Sequence, residues 1–166
     1  MGETQMLFRM ATWLGLGLLC LGLSAGSASA QLIEKKSLSL AAAKKIAAAA
    51  EAEAVKNKWT MTFTVLDEGG NTILVERMDG AQLSSVEASH GKALTAMRYK
   101  RPSKQFEDQI AGGRTAVVTL PGITAVQGGV PVVVNGQVVG AVGAAGERAP
   151  QDEQCSQAGI DALGLK

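Results

Sequence analysis

The sequence predicts an α+β domain, an antiparallel sheet with helices packed on its faces. Helix-forming segments flank and separate two pairs of short apolar or alternating runs, each pair is joined by a tight turn, and no regular β-α-β repeat occurs. Ser39 followed by "LAAAKKIAAAAEAEAVKNK" predicts a helix over about residues 40–57, because Ala, Lys and Glu favour helix and Ser caps its start. Its Leu40, Ala43, Ala47, Ala50, Ala54 and Val55 form one stripe, small enough to let the helix lie close to whatever it covers. The period then drops to two. "WTMTFTVLD" alternates Trp59, Met61, Phe63 and Val65 with Thr60, Thr62 and Thr64, which predicts a half-covered strand. "EGGN" turns and "TILVERM" returns, closing a hairpin over residues 59–78. A helix follows over Ser84–Arg98, broken before Pro102, then a shorter one around Lys104–Ala111. "TAVVTL" is expected as a third strand. The runs on either side of Asn135-Gly136, a dipeptide suited to a type I′ turn, are expected as the fourth and fifth. "APQDEQCSQAGIDALG" ends the chain as a helix whose Pro150, Asp152 and Glu153 suit a first turn.

Residues 1–30 are read separately. Arg9, the apolar run "ATWLGLGLLCLGL" and the small residues ending at Ala28 and Ala30 form the pattern of a secretory signal peptide, with cleavage expected after Ala30. The remainder, 31–166, is expected as one exported domain, periplasmic or extracellular and free of the membrane. Losing Arg9 and Glu3 leaves the formal charge at +1, which gives no general electrostatic reason to bind nucleic acid. Cys155 is then the single cysteine, without an internal disulfide partner, and reads as a small buried hydrophobe.

Several chemistries lack their residues. No G-x-S-x-G elbow accompanies the sole histidine, and one His and one Cys far apart do not make a zinc site. The carboxylates Asp67, Glu68, Asp79, Asp108, Asp152 and Glu153 fall at turns and helix starts, where solvated or capping roles are expected. Gly140 and Gly143 sit on opposite faces of their strand and admit close neighbours on each side. The candidate binding segment is "SHGKALTAMRYKRP". On a helix His90, Leu94 and Met97 share a face, so His90 could ligate a haem iron, with Met61, Met78 or Tyr99 as second ligand and Arg98, Lys100, Arg101 and Lys104 for the propionates. The other reading, a histidine satisfied by a hydrogen bond beside a solvated basic turn, stays open at this point.

The order "VLDEGGNTILVERMDGA", "KALTA", "GGVPVVVNGQVVGAVGAAG", "QDEQCSQAGIDAL" resembles the GlcG/HbpS family over Leu38–Leu163. The resemblance implies a profilin-like fold with a five-stranded antiparallel sheet, assembly into homo-oligomers, and haem or a related tetrapyrrole as ligand. The family is also related to the C-terminal domain of corrinoid adenosyltransferases. The family pattern covers Arg77, Lys92, Thr95, Gly128, Gly129, Asp152 and Glu153, while His90 lies outside it. The ligand-binding set expected on both grounds is His90, Lys92, Thr95, Arg77, Tyr99, Arg101, Gly128 and Gly129, with His90 as the iron ligand and no catalytic residue assigned. The function expected is ligand binding more than catalysis. A second expectation is a sensor or enzyme for a small carboxylate gripped by Arg77, Lys92 or Arg114. A third is a non-catalytic oligomeric scaffold.

Overall fold

The computed structural model describes residues 33–165, and the expected signal peptide lies outside them. Helix α1 runs Leu40–Asn57, with the Ser39 hydroxyl accepting from the Ala42 amide as the expected cap. Strands β1 (Thr62–Asp67) and β2 (Thr72–Arg77) form the first hairpin. Helices α2 (Ser85–Tyr99) and α3 (Lys104–Ala111) follow, then a 3-10 helix at Thr115–Thr119. Strands β3 (Gly129–Val134) and β4 (Gln137–Ala145) form the second hairpin, and α4 (Ala149–Asp161) ends the fold. Asn135 and Gly136 have φ of 52° and 77°, the signs a type I′ turn requires.

Among the described residues the sheet has four antiparallel strands in the order β2-β1-β4-β3, not five. "TAVVTL" is the difference. Of Ala116, Val117 and Val118 only Val117 is buried, so the run lacks the alternate burial that would seat it on a sheet. It turns instead, with the Leu120 amide donating to the Val117 carbonyl and the Thr119 hydroxyl to the Ala116 carbonyl.

Register divides the sheet into two faces. Phe63 and Val65 of β1, with their β4 partners Ala144 and Val142, point to α1 and α4, where Ile46, Ala50, Ala54 and Cys155 complete the core. The alanines of α1 do what their size predicts and bring that helix close. The other face belongs to α2. There Thr62 and Thr64 stand beside Ala145 and Gly143, and both threonines are fully buried. This corrects the half-covered strand expected from the sequence. The hydroxyls are tolerated because α2 answers them: Thr62 Oγ1 lies 2.7 Å from Ser85 Oγ and Thr64 Oγ1 2.8 Å from Ser89 Oγ.

Two glycines set how deep α2 sits. A Cβ on Gly143 would overlap the Ser89 carbonyl and Ala93 amide, and one on Gly129 would overlap the Lys92 backbone. Gly140, three residues earlier than Gly143, faces the opposite side against Leu38, as its position on the strand predicts.

Candidate functional site

Helix α2 has two flanks that remain open after it settles on the sheet. On the β3 flank, Lys92 is 4% exposed and its Nζ donates to Asp152 Oδ2 at 2.5 Å, joining α2 to the first turn of α4. Asp152 is 2% exposed and its Oδ1 accepts from the Glu147 amide at 3.2 Å. Burial pushes the Asp152 carboxyl above the ordinary carboxylate value, while the Lys92 ammonium pulls it back down. Gly128, at φ 129°, fits between Asp152, the Ala144 carbonyl and the Lys92 stem, and its carbonyl accepts from Ser156 Oγ. The Ser103 hydroxyl accepts from the Gly129 amide at 2.8 Å. Thr95 Oγ1 accepts from the Thr124 amide at 2.7 Å and so fixes the loop that borders the same flank.

These contacts enclose a cleft of about 220 Å³, floored by Lys92 and Asp152 and walled by Gln82, Ser84, Thr124, Val126 and Glu147. A larger hollow of about 390 Å³ lies between Lys36–Ser39 and Val134, Leu163 and Leu165, but only Lys36 brings a charge to it.

On the β2 flank stand Val86, His90 and Leu94, spaced by four residues along one stripe. Leu94 reaches the Gly70 turn between β1 and β2. Register places Val75 and Arg77 opposite Thr64 and Thr62, hence on the α2 side of the sheet. Val75 is 42% exposed there. One Arg77 N–H donates to the Ala81 carbonyl.

The expected site residues therefore fall into three places. Lys92 lies at the floor of the cleft, Gly128 and Gly129 pack against Lys92 without lining the cleft, and Thr95 holds its border through the Thr124 amide. His90 and Arg77 belong to the opposite flank. Tyr99 and Arg101 belong to the far end of α2, where Tyr99 meets Phe106 edge-on at 5.1 Å and donates to the Pro121 carbonyl. Arg101 lies 4.1 Å over the Phe106 ring, and Lys104 pairs with Asp108 at 2.6 Å. Arg114 donates to the Gln109 side chain. Met61 is fully buried in the core, and Met78 packs against the same cluster.

Asp152 was expected in a solvated or capping role at a helix start; it is buried, and besides accepting from the Glu147 amide it is the partner of Lys92. The available signal was Lys92 itself, set between the inward positions Ser89, Ala93 and Ala96, where a charge needs a partner.

Residues 38–161 match the family described as "Haem degrading protein HbpS-like". The chain belongs to the HbpS-like family. This HbpS-like chain is 44% identical to Protein GlcG of Escherichia coli K12 over 106 residues, 64% of this chain and 79% of that protein. The crystal structure of HbpS is 34% identical, with a TM-score of 0.75, over 81% of this chain and 96% of the other. The crystal structure of a PduOC–haem complex is 25% identical, with a TM-score of 0.72, over 78% of this chain and 97% of that one.

Proposed function

We propose that this HbpS-like chain is an exported haem-binding or related tetrapyrrole-binding protein whose ligand rests on the β2 flank of α2. The observation that carries the reading is the likeness to the PduOC chain solved with haem. The residues of the flank fit such a group. Exposed Val75 and half-buried Val86 and Leu94 offer an apolar shelf, and His90 stands on it half-exposed. Haem would supply an iron able to take a further ligand, and two carboxylates. His90 is the candidate ligand to the first, and the Arg77 guanidinium keeps donors beyond the one given to Ala81, which suits a propionate. The Lys92 cleft does not fit the whole macrocycle, because 220 Å³ lies below the range of about 300–1,000 Å³ usual for larger ligands.

Export and self-association belong to the same proposal. Residues 1–30 carry the leader pattern, and Leu83, 89% exposed, and Val118 give the surface apolar points that a homo-oligomer would cover. N-terminal sequencing of the exported protein checks cleavage after Ala30, and sedimentation of 31–166 checks assembly.

The central test is haemin titration of residues 31–166 read by absorbance. Wild type is expected to shift the Soret band, and His90→Ala to move that band and weaken binding about tenfold. A spectrum that stays that of free haemin would sink the reading. A shift identical in His90→Ala would move the ligand off this shelf.

A further inference from the structure

The Lys92–Asp152 cleft lies on the other side of α2 from the shelf, and haem binding does not account for it. Its floor is a lysine whose side chain is 5% exposed. An ammonium carries three donors, and Asp152 Oδ2 takes one, the sole side-chain acceptor for it among the described residues. Two N–H donors on a buried cation, at the floor of an open cleft, call for oxygen acceptors from a ligand.

Charge selects among such ligands. Lys92 and Asp152 cancel, and the third ionised group on the lining is Glu147, a second carboxylate. A carboxylate ligand would bring negative charge to a floor with no positive charge left over. An uncharged ligand meets no such opposition: its carbonyl or hydroxyl oxygens accept from Lys92, and its hydroxyls donate to Asp152 or Glu147. Ser84 and Thr124 add hydroxyls to the walls, and Ala88, Val126 and Ala145 supply apolar contact for a short carbon skeleton.

We infer that this cleft binds a small uncharged hydroxycarbonyl or polyol, at a site separate from the shelf of His90. The inference stands independently of haem binding.

Hydroxyacetone is the probe, followed by ligand-observed NMR with residues 31–166, with lactate as its anionic comparison. Hydroxyacetone is expected to bind, and lactate at least about tenfold more weakly. Ala88→Leu narrows the cleft from α2 while leaving both Lys92 and Asp152 in the chain, and is expected to weaken hydroxyacetone about tenfold while leaving haemin absorbance unchanged. His90→Ala is expected to leave hydroxyacetone binding unchanged. No hydroxyacetone binding, or binding untouched by Ala88→Leu, overturns the site. Lactate binding as well as hydroxyacetone overturns the assignment of an uncharged ligand. Circular dichroism of each variant confirms that it is folded before it is titrated.

Discussion

Replacing Lys92 by Met removes the cation from a pair whose side chains are 5% and 3% exposed. Breaking a buried pair from one side costs about 3–5 kcal/mol, because the remaining charge has lost both water and partner. Asp152 keeps the Glu147 amide at 3.2 Å, so the expected loss is at the lower end, about 3 kcal/mol. The pH dependence has a definite sign. Burial already raises the Asp152 carboxyl, and without Lys92 it rises further. A carboxyl raised in the folded state binds its proton more tightly there than in the unfolded chain. Its destabilisation is therefore complete above the folded pKa and is relieved as pH falls through it. Urea unfolding of residues 31–166, followed by far-ultraviolet circular dichroism, should show a deficit at neutral pH that narrows at mildly acidic pH. Lys92→Met with Asp152→Leu should recover most of the loss, since an apolar pair of similar volume replaces the ionic one. An equal deficit at both pH values, or a double variant no more stable than the single one, would refute the account of a stranded carboxylate.

Two further outcomes test the packing. Gly143→Ala places a methyl against the Ser89 carbonyl and the Ala93 amide, both backbone, and should destabilise by about 1–3 kcal/mol in the same urea assay. The Cys155 thiol, fully buried and pushed up to about 12 first by burial and then by Glu53 and Asp152, should ignore a disulfide reagent in the native protein. It should react only as the chain unfolds in urea, so labelling at the rate of an exposed thiol would contradict its place in the core.

The elements whose partners are near in sequence were legible from the residues. Ser39 and the alanine stripe give α1, and Asn135-Gly136 gives the second hairpin, because cap and turn are decided within a few residues. What escaped depended on distant partners. Thr62 and Thr64 look like a solvent face until Ser85 and Ser89, 23 and 25 positions on, are seen to meet them. Asp152 looks like an ordinary first-turn acid until α4 carries it to Lys92, 60 positions back. "TAVVTL" has strand composition, but its alternate residues are not buried, and local i→i+3 bonding decides. The sequence named Lys92, His90 and Arg77 as candidates, but their division between the two flanks of α2 required the way that helix lies on the sheet.

The glycine contacts beneath α2 have a consequence for recognition. With Gly129 and Gly143 the helix backbone rests directly on the strands, without flexible side chains between them to act as a cushion. A wall mounted that way has little freedom to lose when a ligand arrives. The association proposed on either flank would then avoid much of the ordering entropy that a mobile loop would forfeit, so even a ligand of a few heavy atoms could be held by modest contacts. Loosening that seat should weaken the proposed recognition on both flanks at once, although neither glycine lines the cleft.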